Sequence, residues 1–338
     1  MSIPPLISHL PEELLLSIFA LLDNKPPSIT KSRQEPSLEL TWSNIHVLKD
    51  ISSVSRSWRR ITLPLLFRFT RSLDDPTKGI KDEKNFLNFV RKNALNVQSV
   101  VLSIRKLEEQ DRPPPSQDNV NLDVARFWQT LLRVTNASRI VILAPPAELA
   151  RLTECTIDLS TEWAFEEMDY HLLELRCEIP SSARSTEQTF DAAVRSQSMP
   201  PDRSLNRIAA NSILMLKPWS HLALNEGSFL RAYSTYEYFE RGPPSLVLSI
   251  MNCFAARERH AVSWSSLRSF SYTAILPFAD HLDFRAILPH LDELDIQLAP
   301  DATSNILNDK SRIGRAQMED CWQELRAAYR LSESFRIM

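Results

Sequence analysis

Residues 291–296 read LDELDI, in which Leu291, Leu294 and Ile296 are spaced by three and then two, the second spacing being that of a strand with one buried face. The same phrase recurs as Val97-x-x-Val100-x-Leu102, Ala137-x-x-Ile140-x-Ile142, Tyr170-x-x-Leu173-x-Leu175, Trp219-x-x-Leu222-x-Leu224 and Leu267-x-x-Phe270-x-Tyr272. Between copies lie helical patterns at 80–93, 122–134, 186–197, 227–239 and 281–288, and another follows at 316–331. Strands alternating with helices predict an α/β fold with a parallel sheet. The recurrence predicts an irregular solenoid, each phrase a strand and each helix a cover for its opposite flank. Intervals of 24 to 49 residues keep no fixed period, so the repeat is degenerate. The competing reading is a doubly wound sheet, disfavoured because the phrase recurs and no glycine-bearing nucleotide turn is present. Two proline-rich stretches, 112–119 and 198–204, read as loops.

Composition narrows the chemistry. The 338 residues are 43% hydrophobic and 24% charged, as in a folded protein of about two domains. Thirty-nine basic and 42 acidic side chains leave a net charge of -3, which disfavours a nucleic-acid binder. Only four glycines occur (Gly79, Gly227, Gly242, Gly314), and no two stand closer than 15 residues. Glycine-rich phosphate loops and nucleophile elbows are therefore excluded. Cys155, Cys177, Cys253 and Cys321 are too widely spaced for a metal knuckle or a disulfide framework and read as free thiols. The N-terminus lacks a basic region ahead of its apolar run, and the longest apolar stretch, 14–22, is too short to cross a membrane. A cytoplasmic or nuclear protein without a membrane partner is the expectation.

Residues 10–22, LPEELLLSIFALL, start a helix: Pro11 suits a helix start, and Glu12 and Glu13 lie where the positive helix end favours carboxylates. Eight of the nine residues from 14 to 22 are apolar, more than one buried stripe needs. A second helix is predicted over 47–61, where Leu48, Ile51, Val54, Trp58 and Ile61 recur at steps of three and four, with Pro64 ending it. Between them, 24–40 reads as an extruded, proline-rich loop. A helical module over 8–71, with an insertion at about 24–44, thus precedes a second region over 72–338.

The segments LPEELLLSIFALLD and ISSVSRSWRRITLPLLFR resemble an F-box, the helical module that docks on the Skp adaptor of cullin-RING ubiquitin ligases. The leucine-proline opening, the Glu13-Leu14-Leu15 step, Ile18, Leu22 and the Val54-Ser55-Arg56-x-Trp58-Arg59 signature match that family, which usually joins the halves within a few residues. The resemblance implies adaptor contact through Leu10, Pro11, Leu14, Leu15, Ile18, Leu22, Val54, Ser55 and Trp58, with Trp58 also packing inside the module. The segments SLRSFSYTAILPF, LPHLDELDIQLAPDATSNIL and MEDCWQELRAAY are similar to the leucine-rich-repeat-like C-terminal regions of fungal-type F-box proteins.

No catalytic constellation stands out. The seven histidines include no H-E-x-x-H and no i,i+4 pair, and the adjacent carboxylates (Glu12-Glu13, Asp74-Asp75, Glu108-Glu109, Glu166-Glu167) point apart on any regular element. Neither a metal nor a cofactor is expected. The aromatic run Tyr233, Tyr236, Tyr238 and Phe239, near Trp219, reads as core before recognition patch. The resemblance implies a non-catalytic substrate receptor of a Skp-cullin-F-box ligase, with the adaptor and an unidentified target protein as partners. Two alternatives stay open: an adaptor-bound F-box protein acting outside ubiquitin ligases, and a free-standing scaffold whose N-terminal helices cap the solenoid.

Overall fold

The computed structural model describes residues 7, 10–41, 47–71, 80–104, 117–159, 165–166, 170–178, 212–227, 231–232, 244–255, 266–278, 282, 284, 287–301, 306–309 and 317–329. The chain opens with helix α1 (Glu12–Leu21), one turn α2 (Pro27–Thr30), and helices α3 (Val47–Val54) and α4 (Arg56–Leu66). The single helix expected over 47–61 is two, because Ser55 leaves the helical conformation at φ -156° and ψ 162°. Its hydroxyl accepts the Trp58 N–H at 3.1 Å, capping α4. Pro64 does not end α4 but lies inside it, and two further residues follow before Phe67 closes the last turn. Leu15, Phe19, Leu48 and Ile61 form a small core, joined by Leu10, Ile51, Trp58, Leu65 and Leu66. The Phe19 and Trp58 rings tilt against each other at 5.1 Å.

The rest of the described chain is a mixed α/β assembly around a seven-stranded, mostly parallel sheet. Its strands are β1 (Phe69–Arg71), β2 (Ser99–Ser103), β3 (Arg139–Ala144), β5 (His171–Arg176), β6 (His221–Asn225), β8 (Ser269–Thr273) and β9 (Glu293–Gln297). The short β4 (Phe165–Glu166) and β7 (Arg231–Ala232) pair separately. Along the large sheet the order follows the chain, without a switch point among the described strands. The last two apolar positions of all six phrases fall on its strands, the first lying just ahead, and pairing aligns them into two ladders. One runs Val100, Ile140, Leu175, Leu222, Phe270, Leu294; the other runs Leu102, Ile142, Leu173, Leu224, Tyr272, Ile296.

Pairing departs from the expected all-parallel sheet at β5, which is antiparallel to both β3 and β6. The ladders survive because alternate side chains share a face in either chain direction. Reversal merely exchanges the rungs, so that Leu173 meets Ile142 and Leu224 while Leu175 meets Ile140 and Leu222.

The ladder face packs on helices α5 (Ile80–Lys92), α6 (Gln117–Thr135), α7 (Pro146–Thr153), α8 (Ile213–Leu216), α9 (Val247–Ala255) and α10 (Met318–Tyr329). Trp128 and Trp219 are among the largest fully buried side chains, and each indole N–H donates to a main-chain carbonyl, Leu152 and Ile213 respectively, at 2.8 Å. Three expected helices appear as α5, α6 and α10. The helix expected over 227–239 is interrupted by β7, and the described part of 281–288 holds no α-helix, only 3-10 geometry at Phe284 and at the start of Leu288–His290. The helix read at 186–197, the loop at 198–204 and the aromatic run 233–239 lie outside the described residues.

Candidate functional site

Two surfaces bear on function: one on the helical module, the other on the sheet. On α1 the buried edge is Leu15 and Phe19, at 4% and 2% exposure. Leu14, Ile18, Leu21 and Leu22, spaced as one helical stripe, remain exposed at 52%, 37%, 85% and 45%. Val54, at the end of α3, is 64% exposed. Pro11 and Ser55 are exposed, whereas Leu10 and Trp58 are half-buried against the module core. Of the nine residues expected to make a docking surface, Leu14, Ile18, Leu22, Val54, Pro11 and Ser55 are thus presented outward. Leu15 faces the module core instead, one helical step from Leu14. An exposed ion pair between Arg60 and Glu12 ties α4 to α1.

The second surface is the sheet face opposite the ladders. One row across it runs Ser99, Arg139, Arg176, His221, Ser269, Glu293. The next runs Val101, Val141, Glu174, Ala223, Ser271, Asp295, and a third runs Ser103, Leu143, Leu172, Asn225, Thr273, Gln297. The segment 24–40, expected to extrude into solvent, instead forms with Thr41 a strap on this face. Leu40, 2% exposed, packs with Val101, Val141, Leu143 and Leu172 in a cluster completed by Leu38 and Tyr170.

The remaining contacts of this strap are polar and made mainly through its carbonyls. Arg139 donates to the Ser28 carbonyl at 2.6 Å. Asn225 donates to the carbonyls of both Ser32 and Gln34, at 2.9 and 2.8 Å. Gln297 donates to the Arg33 carbonyl at 3.1 Å, and Arg33 pairs with Asp295. Between Lys31 and Gln34 the strap bends, the Gln34 N–H donating to the Lys31 carbonyl at 2.9 Å. Asn225 is held in turn, its side-chain oxygen accepting from the Gly227 N–H at 2.9 Å. A Cβ at Gly227 would stand 2.9 Å from Pro300 and 3.0 Å from that oxygen, so this close approach requires glycine.

Under the strap Arg139 and Glu174 form a buried ion pair at 2.5 Å, and Arg139 also reaches the Ser99 hydroxyl at 2.9 Å. Burial alone would raise the Glu174 carboxyl, but the Arg139 charge and the hydrogen bonds from Arg176 and Arg139 outweigh it and hold the group below the ordinary glutamate value. Its second oxygen is buried without a hydrogen-bond partner among the described residues. Near the far edge His221 Nδ1 lies 3.0 Å from Ser269 Oγ, which donates to Glu293 at 3.2 Å. Burial, then the Arg176 charge, holds His221 below the usual histidine value. The order along the row is imidazole, hydroxyl, carboxylate, whereas a serine triad places the imidazole between the other two.

A further polar cluster closes the other end of β6. Glu226, 6% exposed, accepts from Ser245 Oγ at 2.6 Å, the Leu246 N–H at 2.7 Å and Tyr272 OH at 2.9 Å, tying β6 and β8 to the start of α9. Burial, followed by the Glu226 charge, pushes the Tyr272 hydroxyl well above the ordinary tyrosine value. Among the described residues no group of three or more His, Cys, Asp or Glu side chains is placed to hold a metal ion. No described helix is long and apolar enough to cross a membrane.

Sequence reasoning found the α1 stripe but missed Arg139, Asn225, Asp295 and Gln297. Their signal is their place at the alternate positions of the apolar phrases, which puts them on the opposite face without saying what lies over it. Comparisons with family models, with characterised proteins and with solved structures match none of them to this chain.

Proposed function

We propose that this chain is the substrate-receptor subunit of a Skp-cullin-F-box ubiquitin ligase, its helical module docking on the adaptor and its sheet region capturing a target protein. The observation that carries the reading is the exposed α1 stripe, with Leu14, Ile18 and Leu22 open to solvent on a helix whose Leu15 and Phe19 are fully packed. Burying each such side chain completely is worth about 1.5–3 kcal/mol, so half-exposed ones retain part of that for a partner. The chain-ordered strands and their two aligned ladders support the leucine-rich-repeat-like reading of the second region, a scaffold suited to binding a protein.

In this reading the chain performs no chemistry. It raises the effective concentration of the target beside a conjugating enzyme carried by other subunits, and geometry decides whether transfer occurs. The test is co-purification with a Skp adaptor. The wild-type chain is expected to bind, and Leu14→Asp combined with Ile18→Asp to lose binding while keeping its circular dichroism spectrum. Retained binding by that double variant would overturn the assigned surface. A reconstituted ubiquitination assay with cullin and RING subunits then separates a ligase receptor from an adaptor-bound protein of other function.

A further inference from the structure

We propose that the strap 24–41 is an internal ligand of the sheet's polar face, occupying a surface that also accepts a looped segment of a partner protein. Three observations carry this. The groups that hold the bend of the strap, Asn225 and Gln297, donate side-chain hydrogens to the carbonyls of Ser32, Gln34 and Arg33. Such contacts recognise a backbone shape and accept any sequence that adopts it. The sequence-specific contacts are few: Arg33 at the bend pairs with Asp295, the Ser28 hydroxyl accepts from Arg139 at 3.3 Å, and Leu40, with Leu38 beside it, fills the apolar end of the face seven residues after Arg33.

The strap is also an imperfect occupant. Lys31, Arg33, Gln34 and Glu39 remain exposed, and Glu174 keeps one buried oxygen without a donor among the described residues, an acceptor the strap leaves unfilled. The partner is thereby defined by chemistry: a protein loop with free carbonyls at its bend, a basic side chain there to meet Asp295, and a leucine on its downstream arm. Because the strap is tethered at both ends, it acts at an effective concentration of about millimolar, and a partner binds only by displacing it.

This deepens the receptor reading by naming the capture surface, and its test needs no adaptor. The probe is a fluorescent synthetic peptide of residues 27–41, PSITKSRQEPSLELT, titrated into the full-length chain. Weak binding is expected for the wild type. Binding at least about ten-fold tighter is expected for a chain weakened at its own strap by Arg33→Ala and Leu40→Ser, as the internal competitor is lost. Adding Asn225→Ala should abolish that gain, and a peptide carrying Arg33→Glu should bind less well. Equal affinities for the wild-type and strap-weakened chains, or a gain that survives Asn225→Ala, overturn the proposal and identify the strap as a fixed tether.

Should the strap-weakened chain fail to fold, hydrogen exchange on the wild-type chain decides instead. Excess peptide must speed exchange at the chain's own residues 29–34, and unchanged exchange refutes displacement. Because adaptor co-purification reads a different surface, failure of either experiment leaves the other standing.

Discussion

Replacing Arg139 by methionine keeps most of the side chain's length and removes its charge, leaving Glu174, 1% exposed, without its buried partner. Breaking a buried pair by removing one member typically destabilises by about 3–5 kcal/mol. Because Arg176, half in solvent, still contacts the carboxylate, the low end of about 3 kcal/mol is expected. Cooperative unfolding of 338 residues at about 2.1 cal/mol/K per residue gives an entropy near 0.7 kcal/mol/K, so the expected fall in Tm at pH 7 is about 4 °C.

The pH dependence has a fixed sign. In the wild type the Glu174 carboxyl lies below its ordinary value of 4.5, so it contributes stability above that pH and loses it as pH falls through the lower folded value. In Arg139→Met burial prevails, the carboxyl takes up a proton more readily, and the difference between the chains narrows toward pH 4. Circular dichroism melting at pH 7 and pH 4 measures both effects. The Arg139→Met, Glu174→Met double variant should recover stability relative to Arg139→Met alone, since an apolar pair leaves no uncompensated charge. A Tm gap unchanged between the two pH values, or a double variant less stable than Arg139→Met, would refute the reasoning.

Other consequences are open to direct measurement. Phe19→Ala should destabilise the module by about 3–5 kcal/mol, removing a fully buried ring and its contact with Trp58, while Leu14→Ala on the exposed stripe should change the melting curve far less. Ser55→Ala should cost about 1 kcal/mol by uncapping α4, read as a loss of helical ellipticity on mild heating, with glycine at the same position milder. Tyr272→Phe withdraws one donor from Glu226 and should cost about 1.5–3 kcal/mol in denaturant titration. Because the Tyr272 hydroxyl is raised above its ordinary value of 10, the stability linked to it is complete below pH 10 and fades as pH climbs toward the folded value. Ultraviolet titration should accordingly find one tyrosine ionising only when the chain unfolds.

The strands were legible because a spacing of two is a geometric statement: Leu222 and Leu224, or Phe270 and Tyr272, can share a face only in extended backbone. That same spacing carries no direction, so nothing in Tyr170-x-x-Leu173-x-Leu175 distinguishes the inverted β5 from its neighbours. On α1 the surplus of apolar residues was legible as a total, while the assignment of Leu15 inward and Leu14 outward depends on where α4 lies. The strap was illegible for a different reason. Its prolines and polar residues read as solvent-facing, but its anchors are carbonyls, which every residue has, and their donors Asn225 and Gln297 stand 193 and 264 residues from their acceptors.

The inverted β5 has a consequence for where this fold can change length. A parallel neighbour must be reached by a crossover spanning the sheet, whereas an antiparallel one begins at the end where its predecessor stopped. Ala144 stands directly opposite His171, and Arg176 directly opposite His221, so each of these connections leaves and re-enters the sheet at the same end. The two ends of each link are one strand spacing apart, and between them α7 and α8 dip into the core under the ladders. Outside α7 and α8, segments can be added there without re-registering the ladders, which makes these two links the natural sites for grafting a foreign domain.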